Sequence, residues 1–173
     1  MSPLGSPCGR VTALAVTALS LAGVLASPAA AAAAVRPLCL DVGTTRNNGD
    51  PARLANCLTG WRSQSFVLRD GQIKVEDTVG TAREMCLDIS DTRNNGDPLH
   101  LWQCIPGLSN QTYIQQRGEI KAEDTFGTAR EMCLDVGNTR VPGDITHIWQ
   151  CYPGFGNQTF VVQRGQIRVA DTL

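Results

Sequence analysis

The chain has little of several things that would define a function quickly. Neither sign of charge dominates: 15 Lys and Arg stand against 16 Asp and Glu, for a formal net charge of −1. No basic stripe is present to follow a phosphate backbone, so nucleic acid is not an expected partner. Beyond residue 34 no apolar run approaches the ~20 residues of a membrane span, so no membrane insertion is expected. There is no CxxC pair, no HExxH and no Gly-x-Ser-x-Gly. With them go the usual signatures of zinc sites, zinc hydrolases and serine hydrolases. No segment sustains helical periodicity. Aromatic residues make up only 5% of the chain, so where they sit carries information.

The N-terminal segment does not belong to a folded domain. Arg10 is its only charge, an apolar run covers Val11 to Ala26, and Ser27-Pro28 leads into an alanine tract ending at Ala34. A basic flank, an apolar run too short to span a bilayer and small residues at the exit predict a secretory signal peptide over 1–34, cut somewhere in 31–34. The mature chain is then 35–173, enough for one domain with a modest core, and its expected location is extracellular. A soluble monomer is the expectation.

That mature chain repeats itself three times. Cys39, Cys86 and Cys133 open repeats 39–85, 86–132 and 133–173 at a period of 47 residues, and 26 of 47 aligned positions are identical between the first two. Copies this similar should fold alike. A unit of this length cannot bury its apolar face alone and must pack on its siblings; three units point to a closed threefold body. Of the seven cysteines, Cys8 leaves with the signal segment and six remain. Equivalent residues should form equivalent bonds, and the simplest assignment is Cys39–Cys57, Cys86–Cys104 and Cys133–Cys151. Each would stabilise by ~3 kcal/mol in the chain-entropy model, in keeping with an oxidising destination. A zinc site is the competing reading, and the spacing does not suit it.

Repeat 2 reads as four short strands: Met85–Ile89, Leu99–Cys104, Gln111–Ile114 and Glu119–Ala122. Turn signals separate them, with Asn95-Gly96 the strongest hairpin signal. The pattern predicts an all-β domain of about twelve strands, by the same turn spacing. Positions apolar in every copy predict the core: Leu40, Leu87 and Leu134; Val42, Ile89 and Val136; Leu54, Leu101 and Ile148; Phe66, Tyr113 and Phe160; Ile73, Ile120 and Ile167. Met85 and Met132 precede repeats 2 and 3, Leu38 precedes repeat 1, and repeat 3 ends without such a residue. The N-terminal edge of the mature chain is therefore expected to seal copy three against copy one and remove exposed strand edges.

Three cystine-clamped repeats, each with Cys-Leu-Asp, with an aromatic two residues before the second cysteine in two of them, and with Gln-x-aromatic, resemble the ricin B-type lectins. These are β-trefoils also found as carbohydrate-binding modules, and the resemblance covers the whole mature chain. The family's usual Gln-x-Trp stands here as Gln64-Ser65-Phe66, Gln111-Thr112-Tyr113 and Gln158-Thr159-Phe160. The resemblance implies one shallow sugar pocket per repeat. In it an Asp bonds ring hydroxyls, an aromatic stacks on the sugar's apolar face, an Asn donates to a hydroxyl and a Gln orients the Asp. Asp88, Trp102, Asn110 and Gln111 match in repeat 2, and Asp135, Trp149, Asn157 and Gln158 in repeat 3. Repeat 1 keeps Asp41 and Gln64 but has Ala55 and Ser63, so it is expected to be silent. His100 and His147, four residues before the second cysteine, are either accessory sugar contacts or half-exposed strand residues. Trp61, Leu108 and Phe155 align and are expected to pack as a cap.

The persistence of Asp41 and Gln64 where the pocket has decayed means that this pair also holds a turn. The discriminating residues are the indoles and amides. An indole covers the apolar face of a pyranose while a carboxylate and an amide satisfy its hydroxyl rim. The leading expectation is a secreted lectin recognising galactoside- or xylan-type glycans, with no cofactor, no metal and no catalysis. The alternative is a secreted β-trefoil inhibitor of a protease or glycosidase acting through a surface loop, by fold analogy alone. Paired acids such as Glu76-Asp77 and Glu123-Asp124 read as solvated faces.

Overall fold

A computed structural model describes residues 36–173; the expected signal segment lies outside the described residues. Repeat 1 supplies β1 (Leu38–Asp41), β2 (Arg53–Asn56), β3 (Phe66–Arg69) and β4 (Gln72–Val75). Repeat 2 supplies β5 (Met85–Ile89), β6 (Leu99–Gln103), β7 (Tyr113–Gln116) and β8 (Glu119–Ala122). Repeat 3 supplies β9 (Met132–Asp135), β10 (His147–Gln150), β11 (Phe160–Gln163) and β12 (Gln166–Val169). The expected third strand of repeat 2 is corrected in one respect. Gln111 belongs to a single 3-10 turn, Ser109–Gln111, and the strand begins at Tyr113.

No sheet is made from one repeat. The three sheets run β3-β4-β5-β6, β10-β9-β8-β7 and β11-β12-β1-β2, so each takes two strands from each of two neighbours. The last closes the ring: Cys39 of β1 pairs with Arg168 of β12. Leu38 N–H donates to Thr172 Oγ1 at 2.9 Å, as Met85 N–H does to Thr78 Oγ1 and Met132 N–H to Thr125 Oγ1. The predicted sealing of copy three by the N-terminal edge is what the structure shows. The fold is a β-trefoil.

Two rings of backbone hydrogen bonds lock the repeats around the pseudo-threefold axis. In one, Ala52 N–H donates to Leu99 O (2.9 Å), Leu99 N–H to Thr146 O (2.9 Å) and Thr146 N–H to Ala52 O (3.0 Å). In the other, Phe66, Tyr113 and Phe160 N–H donate to Gly165, Gly71 and Gly118 O at 2.7–2.8 Å. These glycines end two-residue hairpins in which Asp70-Gly71, Arg117-Gly118 and Arg164-Gly165 all take positive φ, the type I′ geometry that matches strand twist. The Asn95-Gly96 signal behaves differently. Only Gly96 is at positive φ, and Asp97 N–H closes a turn onto Asn94 O inside the longer β5–β6 connection.

Every predicted core position is buried in one apolar cluster, with Leu38, Ala52, Val75, Met85, Leu99, Ala122, Met132 and Val169 added. The cystines are the predicted ones, each within its own repeat and with Cα atoms 5.0 Å apart. Among the described residues no helix is long and apolar enough to cross a membrane. The axial ring contains one irregularity: Thr146 is fully buried and its Oγ1 has no hydrogen-bond partner among the described residues, where the sibling positions carry Ala52 and Leu99. Replacing the orphan hydroxyl by a methyl of the same shape removes a desolvation cost. Thr146→Val should therefore raise stability by ~1 kcal/mol, read as a higher denaturation midpoint at unchanged m-value.

Candidate functional site

Each repeat builds the same scaffold under an open dish. In repeat 3 the buried Gln158 amide donates to Asp135 Oδ2 (2.9 Å) and to Gln150 O (2.9 Å), while its Oε1 accepts from Tyr152 N–H (2.8 Å). Repeats 1 and 2 repeat this through Gln64 and Gln111, which tie Asp41 and Asp88 to Asn56 O and Gln103 O and hold Leu58 and Ile105 N–H. The glutamine thus pins the loop after the second strand to the carboxylate at the end of the first. It does so in all three copies, as the survival of Asp41 and Gln64 implied. A buried amide with all these bonds made rigidifies its surroundings.

The dish of repeat 3 is lined by Asp135, Gly137, Asn138, His147, Trp149, Tyr152, Phe155, Asn157 and Gln158, which includes every residue singled out there from sequence. Strand β10 holds His147 and Trp149 on its outer face, and the cross-strand pairing of β9 with β10 sets His147 opposite Asp135. Trp149 is 38% exposed, so part of its indole is open to solvent. Asp135 is only 3% exposed, yet its oxygens are well supplied with donors. Oδ2 accepts from Asn157 Nδ2 (2.8 Å) and Gln158, and Oδ1 accepts from Gly137 N–H (2.6 Å). His147 Nε2 lies 3.4 Å from Oδ1, and its Nδ1 lies 3.3 Å from Ile145 O. A carbonyl only accepts, so Nδ1 carries a proton; a proton on Nε2 as well satisfies both contacts.

The titration behaviour follows. Burial works to raise Asp135, but His147, the Gly137 N–H, Gln158 and Asn157 outweigh it and hold the carboxyl below its usual range. Asp135 in turn raises His147 above an ordinary imidazole, against the opposing effect of burial. The carboxylate contributes stability above ~3.9 that is lost as pH falls through its lowered folded value, and the imidazolium contributes stability below ~6.5 that is lost as pH rises through its raised one. The pair is therefore fully in place between those two values.

The dish of repeat 2 is built differently. Asp88, Ile89, Ser90, Asp91, His100, Trp102, Leu108 and Asn110 line it, and Trp102 is 40% exposed. Gln111 lies beneath, bonded to Asp88 Oδ2 at 2.8 Å. His100 Nε2 stands 3.5 Å from Asp88 Oδ1. Asn110 is not brought to Asp88: its Nδ2 donates to Asp91 Oδ1, and its Oδ1 accepts from Arg93 Nη2 (2.9 Å). Nor does Asp88 receive the backbone donor seen in the siblings. Gly43 and Gly137 lie at positive φ, 69° and 67°, and their N–H groups close onto Asp41 and Asp135. Ser90 occupies the equivalent place outside that region, since a side chain disfavours it. Burial therefore raises Asp88, and Gln111 and His100 offset only part of the effect.

Repeat 1 retains a depression lined by Asp41, Asp50, Arg53 and Ala55, with no aromatic floor. Ser63 Oγ replaces the missing amide on Asp41 Oδ2 at 3.0 Å. The expected cap packing of Trp61, Leu108 and Phe155 is not what the structure shows. Trp61 and Phe155 are about half exposed, at 51% and 52%, and Leu108 and Phe155 line dish walls. Phe155 stacks on Tyr152 with ring centroids 5.2 Å apart. Sequence reading also passed over Tyr152, Gly137 and Asp91. The repeat comparison held a signal for the last two, in the Gly/Ser/Gly and Thr/Asp/Asn differences just after Cys-Leu-Asp.

Three lobes closed on one axis, each with a carboxylate–glutamine pair beneath an open dish, define the class of β-trefoil lectins. The chain belongs to the ricin-type beta-trefoil lectin domain family, whose model matches residues 31–125, more than half of its length. Domains of this family bind carbohydrate. No curated protein matches the chain. Repeat 3 lies beyond the matched segment but reproduces the same strands and the same cystine.

The Asp135–His147 pair generates a direct prediction. The His147 ring protons should titrate with a midpoint above ~6.5 in NMR spectra, and Asp135→Asn should bring that midpoint down to the ordinary value or below it. A midpoint that ignores the substitution would contradict the pairing.

Proposed function

We propose that the protein is a secreted, non-catalytic lectin that binds galactoside- or xylan-type glycans through the dishes of repeats 2 and 3. The observation that carries this reading is the pair of outward-facing indoles, Trp102 and Trp149, each above a buried carboxylate on a rigid strand pair. An indole partly open to solvent supports the C–H face of a pyranose, while the adjacent carboxylate and amide supply directional bonds to hydroxyls. Repeat 1 keeps the scaffold and lacks the platform, which makes it a built-in control. A shallow dish binds weakly by itself. Two on one rigid body gain by engaging a single polymer together, provided the polymer can span them. Asp88, Asp135, Gln111 and Gln158 position or accept, Trp102 and Trp149 stack, Asn157 donates, and His100 and His147 border the ring. Asn110 joins the ligand only if it leaves Asp91.

Affinity electrophoresis on xylan and arabinogalactan, with a glycan array carrying galactosides, tests the reading. Trp102→Ala with Trp149→Ala should abolish retention and leave the protein folded, at a cost of about 1 kcal/mol in unfolding free energy per substitution. Each single variant should lose the multivalent gain and retain weak binding. Retention unchanged in the folded double variant would refute the assignment of the dishes.

A further inference from the structure

The two dishes differ in charge as well as in hydrogen bonding, and the difference selects a ligand class. We propose that the repeat 2 dish prefers a sugar bearing a free, protonated amino group to its neutral counterpart, whereas the repeat 3 dish shows no such preference. This rests on the lectin reading above and deepens it.

Dish 2 is lined by two carboxylates, Asp88 and Asp91, and an indole, Trp102. Dish 3 has Asn138 where dish 2 has Asp91, and so has one carboxylate. Their unused hydrogen-bonding capacity differs in the same sense. Asp135 meets donors from Gly137, Asn157, Gln158 and His147. Asp88 has one close donor, Gln111 on Oδ2, and its Oδ1 faces only His100 Nε2 at 3.5 Å. Asp91 accepts from Asn110 on Oδ1, and its Oδ2 has no protein donor among the described residues. Dish 2 therefore presents spare acceptors and negative charge, and the amide that would have offered a donor is turned aside.

Arg93 does not cancel that charge. Its guanidinium is committed to Asp124 (2.9 Å), to Asn110 Oδ1 (2.9 Å) and to the carbonyl of Ser90. The Arg93–Asp124 pair adds no net charge, as the Arg140–Asp171 pair adds none beside dish 3. An imidazole stands beside the buried carboxylate in both dishes, at 3.5 Å in dish 2 and 3.4 Å in dish 3, so it is the second carboxylate, Asp91, that sets dish 2 apart. An ammonium group is the complement of what dish 2 offers: three donors, no acceptor and a positive charge. An indole beside it adds cation–π attraction. An N-acetyl group in the same place would bring one donor, one acceptor and no charge.

The test follows the indole Nε1–H signals of Trp102 and Trp149 by NMR. Glucosamine and galactosamine are titrated at pH 6, each against its N-acetyl form, alongside galactose and xylobiose. Trp102 should respond to at least one free amino sugar about fivefold more tightly than to its acetylated form, the scale of a partly exposed ion pair. Asp91→Asn should abolish that preference while leaving the Trp149 response intact, and Asn138→Asp should confer an amine preference on Trp149. A Trp102 signal that follows free and acetylated forms equally would overturn the proposal, as would an Asp91→Asn variant that keeps the preference or an Asn138→Asp variant that gains none. If Trp149 follows neutral sugars and Trp102 follows none of the ligands, this inference falls and the lectin reading is confined to repeat 3. If neither indole moves with any sugar, both fall.

Discussion

Strand sharing between repeats is the constraint on which the molecule depends. Each sheet takes two strands from one repeat and two from the next, and the third sheet joins the end of the chain to its beginning. A 47-residue unit has no core of its own. Leu40, Leu87 and Leu134 and their neighbours gain burial only when all three units meet. Two hydrogen-bond rings fix how they meet, one through Ala52, Leu99 and Thr146 and one through the hairpin glycines. Because these backbone bonds are cyclic, they leave no unpaired end around the axis. The cystines act at a different level. Each closes a loop inside its own repeat and restricts the unfolded chain without joining lobes.

The same constraint explains why the dishes are rigid and how they diverge. A dish floor is an antiparallel strand pair that also belongs to a four-stranded sheet, so its indole and carboxylate cannot move apart without breaking the sheet. The buried glutamine then fixes the loop above to the carboxylate in all three copies. What varies lies at the rim. Ala55 removes the platform from repeat 1. Ser90 withholds the backbone donor that Gly43 and Gly137 allow, and Asp91 draws the Asn110 amide away from Asp88. Duplication thus preserved the frame, and single substitutions around it set three different chemistries.

The fold was almost wholly legible in the sequence, because a repeat states each structural requirement three times. Core positions, cystine pairing and closure by Leu38 all emerged from comparing copies. The third strand was misjudged by two residues, since Gln111 looks like the start of an alternating run and is recruited instead into a 3-10 turn by its bonds to Asp88 and Gln103. The Asn95-Gly96 signal marked a turn correctly but not its setting, which is fixed by the neighbouring repeat: Gly96 N–H donates to Ile148 O, and Asn95 Oδ1 accepts from Gln150 N–H. At the site, residue types were readable and their pairing was not. Nothing local distinguishes an Asn110 that turns to Asp91 from an Asn157 that turns to Asp135. The exposure of Phe155 and Trp61 was equally hidden, because large apolar residues at equivalent positions suggest a packed cap until the surface is drawn.

The most direct test of the account is a crystal structure of the mature chain soaked with galactose and with xylobiose. The account predicts a pyranose lying flat on the Trp149 indole, its hydroxyls within hydrogen-bonding distance of Asp135 and Asn157, and nothing in the repeat 1 depression. Sugar density that avoids both indoles, or that settles over Ala55, would contradict it.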